Sequence, residues 1–201
     1  WSSDVCSSDL SFNGNKILTS GGGGMIICND EESSAKASYL TKQAKDDPVN
    51  FIHNEIGYNL TLTNIQAAMG MAQLEQLGAY LQRKKEIHEQ YTDELKTIDG
   101  LALANVPDYS DNNHWLNILQ INHQVYGEDH KALMIRLVKN GIQTRPVWHL
   151  NHMQKPYKNC QYYKIEKAQK LLAKTLNIPC SVNLTVEQIE KVVASLKKGI
   201  E

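Results

Sequence analysis

Residues 11–26 read SFNGNKILTSGGGGMI, and the rest of the chain is best read outward from this stretch. Gly21 to Gly24 give the backbone the freedom a tight turn needs, and Met25-Ile26-Ile27-Cys28 is a short apolar run behind them. The order predicts a strand following a close-packed glycine turn. Lys16 stands just before the turn, so an amine is placed beside hydroxyls and loop amides that can bind phosphate. The run is not a P-loop, because no Gly-Lys-Ser/Thr follows the glycines. Taken alone, the spacing fits a solvated surface lysine equally well.

Upstream, Trp1 to Leu10 (WSSDVCSSDL) is rich in Ser and Asp, predicts no element, and resembles translated adapter text joined to the fold at Ser11. On that reading Cys6 stands outside the fold. Downstream, Glu31 to Ala44 lacks Gly and Pro and predicts a helix ended by Asp46-Asp47-Pro48. Phe51 to Leu62 is irregular. Thr63 and Gln66 sit at capping-box spacing and open a long helical region. Its first part, with Ala67, Ala68, Gly70 and Ala72, lets another backbone approach closely. Leu74, Leu77, Leu81, Ile87, Tyr91, Leu95 and Ile98 continue it to Asp99-Gly100. Beyond it, Leu101–Val106, Trp115–Ile121 and Ile142–Val147 predict strands. Asp129–Asn140 and Ile165–Leu176 predict helices, and Thr185 and Gln188 repeat the capping box before a last helix.

Composition narrows the partners. With 41% hydrophobic and 21% charged residues the chain has material for a core, and 21 basic against 22 acidic side chains leave a net charge of −1. That balance carries no electrostatic footprint for nucleic acid. No apolar run reaches the ~20 residues of a membrane helix, and no signal-peptide pattern opens the chain, so a cytoplasmic location is expected. The widely spaced Cys6, Cys28, Cys160 and Cys180 suit buried reduced thiols rather than a zinc site or disulfide scaffold. The Asn-x-Thr triplets at Asn59 and Asn183 are read as coincidence. Met25, Met69, Met71, Met134 and Met153 are read as packing residues.

Three segments in order, SFNGNKILTSGGGGMI, GYNLTLTNIQAAMGMAQLEQL and RPVWHLNH, closely resemble the DegT/DnrJ/StrS family of pyridoxal phosphate-dependent nucleotide-sugar aminotransferases. The resemblance covers nearly everything from Ser11 on. It looks closest to the branch acting on UDP-linked 4-keto-6-deoxy amino sugars of legionaminic-type pathways. It implies an α/β fold, the C-terminal part of a fold-type I aminotransferase: residues 11–80 end the large cofactor-binding domain and 81–201 form a small α+β domain, behind the leader 1–10. It makes Lys16 the Schiff-base lysine and Ser11 a ligand of the cofactor phosphate. Asn59, beside Gly57 and Tyr58, would reach the phosphate of the neighbouring subunit's pyridoxal 5'-phosphate, which implies a homodimer with shared sites. Glutamate is the expected amino donor.

Arg145-Pro146-Val147-Trp148-His149 resembles the family segment that folds toward the sugar nucleotide, with Trp148 to stack and His149 to hydrogen-bond. Both also suit packed or satisfied side chains. His149 and His152 have HxxH spacing, but Pro146 and Pro156 oppose a helix and no third ligand follows, so no metal is expected. Absent from the chain are the family's Gly-Thr phosphate loop, the residue stacking on the cofactor ring and the Asp that pairs with its pyridine nitrogen. The expectation is an inactive C-terminal fragment of an enzyme, with apolar surface left exposed. A related sugar dehydratase, which carries histidine in place of the lysine, is opposed by Lys16. A non-catalytic α+β interaction domain is the remaining alternative.

Overall fold

The computed structural model describes residues 8–197, which divide into two units, one running to Ala79 and the other beginning at Tyr80. The first unit opens with β1 (Ser8–Ser11) and β2 (Gly24–Ile27), paired antiparallel with Ser11 opposite Gly24 and Ser8 opposite Ile27. Ser8 to Leu10 therefore belong to a strand, against the expectation that the leader forms no element. Backbone pairing to the apolar run asks nothing of their side-chain type. Residues 1–7, with Cys6, lie outside the described residues. Gly24 is obligatory at this pairing, since a Cβ there would stand 2.4 Å from the Leu10 carbonyl oxygen.

Helix α1 (Glu31–Thr41) is capped by Asp30, whose carboxylate accepts from the Ser33 amide at 2.7 Å. It ends before the predicted Ala44, because Gln43 and Ala44 turn left-handed at φ 71° and 48°. The returning chain takes up the free backbone groups of the last turn: the Tyr58 amide donates to Leu40 O at 2.7 Å, and the Leu60 amide to Thr41 O at 3.0 Å. The Thr63 capping box opens α2 (Asn64–Glu75) as expected. The long helical region is two helices, however, because the Gln76 amide turns back to Gln73 O before α3 (Leu77–Leu95) begins.

The second unit is built on a four-stranded antiparallel sheet of order β3-β4-β6-β5. Its strands are β3 (Leu101–Leu103), β4 (Asn117–Ile121), β5 (Arg145–Pro146) and β6 (Thr175–Ile178). Helices α4 (His123–Tyr126), α5 (His130–Lys139), α6 (Lys167–Leu172) and α7 (Val186–Lys197) complete it. Alternation along β4 puts Asn117, Leu119 and Ile121 inside. They join Ile87, Tyr91 and Leu95 of α3, Leu133 and Leu137 of α5, and Ile189, Val192, Val193 and Leu196 of α7 in one core. These helical positions recur three and four apart, so each helix buries one stripe. Thr175 and Leu176, read above as the end of a helix, instead begin the inner strand β6. Leu176 and Ile178 bury on the core while Asn177 faces away, an alternation too short to outweigh the helical run before it.

Tyr126, Glu128 and Arg136 tie α4 and α5 to α7. The Arg136 guanidinium is bidentate on Glu128 at 3.0 Å and 2.6 Å, donates to the Tyr126 hydroxyl at 2.7 Å, and also reaches the Ser195 carbonyl. The Tyr126 hydroxyl donates to Leu196 O at 2.7 Å. Two packing expectations are corrected. Of the five methionines Met134 packs on the core, whereas Met25, Met69, Met71 and Met153 are exposed. Cys28, Cys160 and Cys180 are free, as expected, but none is fully buried.

Candidate functional site

The hairpin between β1 and β2 carries Ser11 and Lys16. Ser11 is the last residue of β1, and its hydroxyl accepts weakly from the Asn13 amide at 3.4 Å. Phe12 forms the neck of the loop: its amide donates to Gly23 O at 3.0 Å, and its carbonyl accepts from the Ser20 amide at 3.1 Å and the Thr19 hydroxyl at 3.0 Å. Above the neck, Asn13 organises the turn. Its side-chain oxygen accepts from the Gly14 amide at 2.9 Å and its carbonyl from the Lys16 amide at 3.0 Å. Lys16 is thus half-buried at a turn whose backbone is hydrogen-bonded on both sides. The left-handed Gly21 and Gly23, at φ 79° and 81°, bring the chain back to β2.

The start of α2 supports the far side of this loop. A Cβ on Gly70 would meet Ser20 Cβ at 3.8 Å, one on Gly22 would meet the Gln66 side chain at 3.7 Å, and one on Gly23 would strike Leu62 at 2.7 Å. Of the small residues that the sequence offers on α2, Gly70 is the one that faces the loop, while Ala68 and Ala72 are exposed. Ser20, 2% exposed, donates its hydroxyl to Gly22 O at 2.6 Å.

Asn59 lies on a different segment, bridged to Lys42 at the end of α1. Gly57 makes the approach possible, because a Cβ there would sit 2.3 Å from the backbone of Gln43 and Ala44. Asn59 lines a cavity of about 620 Å³ together with Ser38, Tyr39, Lys42, Lys45 and Thr61. Among the described residues none that lines it is Asp or Glu, and two lysines and several neutral polar residues are the lining an anion would ask for. The Tyr39 hydroxyl donates to Asp46 at 2.9 Å, and its pKa is pushed up to about 12, by desolvation first and by Asp46 next. The sequence reading had not singled out Lys42 or Lys45; nothing in their spacing sets them apart from other surface lysines.

Trp148 and His149 belong to the second unit, just past β5, and both are exposed. The Trp148 ring lies against Trp115 at a centroid distance of 5.8 Å and an angle of 32°. Trp115 is anchored by its backbone, its carbonyl taking the buried Lys84 ammonium at 3.0 Å, and Lys84 also holds the Cys180 carbonyl. Trp148 is therefore held on one side and 61% exposed overall. His149 and His152 share no α-helix: residues 148–150 are irregular and Asn151–Met153 is a single 3-10 turn. Among the described residues no group of three His, Cys, Asp or Glu could hold a metal ion, and no helix is long and apolar enough to cross a membrane.

Residues 6–197 match the model of the DegT/DnrJ/EryC1/StrS aminotransferase family. EpsN of Bacillus subtilis (strain 168), provisionally named a pyridoxal phosphate-dependent aminotransferase, is 33% identical over 93% of this chain and 48% of its own length. GDP-perosamine synthase of Caulobacter vibrioides is 31% identical over 93% of this chain and 50% of its own. The aminotransferase TlmJ from Streptoalloteichus hindustanus superposes with a TM-score of 0.85 at 24% identity, over 96% of this chain and 51% of that one. The chain spans about half the length of the curated relatives it matches.

Proposed function

This chain belongs to the DegT/DnrJ/EryC1/StrS aminotransferase family, and on that premise we propose that it is the C-terminal half of an enzyme that moves an amino group from an amino acid, glutamate for preference, to a nucleotide-linked 4-keto-6-deoxy sugar. The observation that carries the reading is the pinned hairpin, closed at Phe12, that carries Ser11 at the end of its first strand and Lys16 in its loop. The relatives' names span GDP-, UDP- and dTDP-linked sugars. The legionaminic-type, UDP-linked branch is our choice among them, on the motifs quoted above.

The donor set suits pyridoxal 5'-phosphate. A primary amine suits an aldehyde, and the hydroxyl of Ser11 and the amide of Asn59, beside Lys42 and Lys45, suit a phosphate. When bound, the cofactor supplies an aldehyde carbon that exchanges amino groups and a ring that accepts an electron pair. Lys16 would hold it, its primary amine being the group that suits the aldehyde, with one water released. Freed by a donor amine, the Lys16 Nζ would be available as a base. It would then carry the proton from the donor carbon that bears the amino group to the cofactor carbon that had been the aldehyde, and a positioned proton carrier of this kind is worth ~10²–10⁴-fold. Ser11 and Asn59 orient by binding phosphate, Asn59 that of a neighbouring subunit in a homodimer with shared sites. Trp148 stacks on the sugar nucleotide and His149 hydrogen-bonds to it.

We read residues 11–80 as the end of the cofactor-binding domain and 81–201 as a small domain, a reading supported by the division of the chain between Ala79 and Tyr80. Exposed apolar residues support a larger whole. Helix α2 and strand β2 bury nothing, and Met25, Ile26, Ile27, Ile65, Met69 and Leu74 all face outward. Helix α2 carries Ile65, Met69 and Leu74 beside Asn64, Gln66, Gln73 and Glu75, and its exposed apolar residues are the part that asks for a cover. The cover is assigned to the part of the protein that full-length relatives carry beyond the matched half, and the chain alone to an inactive state. We place the enzyme in the cytoplasm, where nucleotide-linked sugars are substrates. The test is amino transfer by the full-length protein from glutamate to a nucleotide-linked 4-keto-6-deoxy sugar, followed by mass spectrometry of the sugar. Product is expected with the wild type and lost with Lys16→Ala; no product across GDP-, UDP- and dTDP-linked ketosugars overturns the reading.

A further inference from the structure

We infer that Thr19 is the positioning residue of the Lys16 loop: its hydroxyl locks the turn from which the lysine amine works. The inference rests on Lys16 being the cofactor lysine. The Thr19 Oγ1 donates to the Phe12 carbonyl at 3.0 Å and accepts from the Gly21 amide at 3.0 Å. One side chain therefore joins the neck of the loop to the left-handed Gly21 that sends the chain back toward β2. Residues 13–18 are enclosed between the Phe12 carbonyl and this hydroxyl, and Lys16 lies among them. The Ser20 amide shares the same carbonyl at 3.1 Å and cannot reach Gly21.

The other hydroxyl of the pair does a different job. Ser20 is buried on the α2 side, next to Gly70, and donates to Gly22 O at 2.6 Å. It braces the glycine turn, whereas Thr19 braces the lysine turn. Threonine is well chosen because its branched Cβ restricts χ1, so the hydroxyl is held between donor and acceptor at small entropic cost. Valine has nearly the same shape and can make neither bond. It leaves the Gly21 amide without its side-chain acceptor and removes one of the two hydrogen bonds on the Phe12 carbonyl.

A lysine that must meet a carbon in one orientation is sensitive to displacements of about 1 Å, which cost ~10²-fold in rate. In the full-length protein, Thr19→Val is expected to raise amide exchange at Lys16, Ser20 and Gly21 in the absence of cofactor. With pyridoxal 5'-phosphate it is expected to slow capture at Lys16 by about tenfold or more and to shift the pH midpoint of the visible band of the lysine-bound cofactor. The KM for glutamate should change far less than kcat. Thr19→Ser, which keeps the hydroxyl, restores all of these to near wild type, and Thr19→Ala serves as the second deletion if the valine variant does not fold. Unchanged exchange and capture in Thr19→Val overturn the inference. So does faster exchange with unchanged capture and band, which makes the hydroxyl merely structural. Failure of Thr19→Ser to rescue does the same. If wild type itself holds no cofactor at Lys16, the reading of Lys16 fails and this inference falls with it, an outcome separate from the three before.

Discussion

Replacing Gly57 by alanine tests the packing that holds Asn59. The new Cβ would stand 2.3 Å from both Gln43 C and Ala44 N and 2.8 Å from Ala44 Cβ, against the 3.4–4 Å of ordinary contact. The opposing atoms are backbone in a left-handed turn, and Ala44 is fully buried, so the two segments must separate by an ångström or more. Three backbone hydrogen bonds join them: Gln43 to Tyr58 at 3.0 Å, Tyr58 to Leu40 at 2.7 Å and Leu60 to Thr41 at 3.0 Å. At a net ~0.5–1.5 kcal/mol for each bond, the local opening free energy should fall by about 2–4 kcal/mol. Hydrogen exchange at the Gln43, Tyr58 and Leu60 amides reads this directly, whatever the stability of the rest. Gly78→Ala is the control, because a Cβ there meets nothing within 4 Å; within a helix it should be neutral or stabilising by about 0.5–1 kcal/mol. If Gly57→Ala leaves the three amides as protected as in wild type, the account of how Asn59 is placed is wrong.

Two further outcomes concern the second unit. His114, stacked on His88 with ring centroids 4.0 Å apart, has its pKa lowered by burial first, then by His88, with Lys85 adding to the shift while Glu89 and Asp111 oppose it. A histidine depressed below its unfolded value of about 6.5 contributes stability above that pH and loses it as pH falls toward the folded value. The urea midpoint should therefore drop between pH 7 and pH 5. Paired carboxylates such as Asp129, whose pKa is already lowered by the Ala132 amide, act only further down. His114→Asn should flatten the slope, and a slope unchanged by that substitution would contradict the assignment. Tyr126→Phe deletes the hydroxyl shared by Arg136 and Leu196 O, and an equilibrium urea titration should show a loss of about 2 kcal/mol. A loss within experimental error would show that Arg136 and Glu128 hold α5 to α7 without it.

The parts of the fold legible in the sequence were those written in local chemistry. Thr63 and Gln66 mark the start of α2, Thr185 and Gln188 that of α7, and the apolar run after the glycines is β2. What escaped was decided by partners distant in sequence. Strand β6 is a strand because β4 and β5 flank it, and Thr175-Leu176 carries no local sign of that. Helix α1 stops at Thr41 because Tyr58 and Leu60 return to its last turn, and Ser8 to Leu10 form β1 because β2 offers an edge. The site divides in the same way. Motif order makes Lys16, Ser11 and Asn59 candidates, while the hydrogen bonds of Thr19 and the place of Lys42 and Lys45 beside Asn59 are visible only in the folded chain.

The central claim is that Lys16 holds the cofactor, and one measurement reaches it most directly. The full-length protein is incubated with pyridoxal 5'-phosphate, reduced with borohydride, digested and mapped by mass spectrometry. The account predicts a phosphopyridoxyl group on the peptide containing Lys16 and none at that site in Lys16→Ala. A label absent from wild type, or carried by another lysine and undiminished in Lys16→Ala, would contradict it.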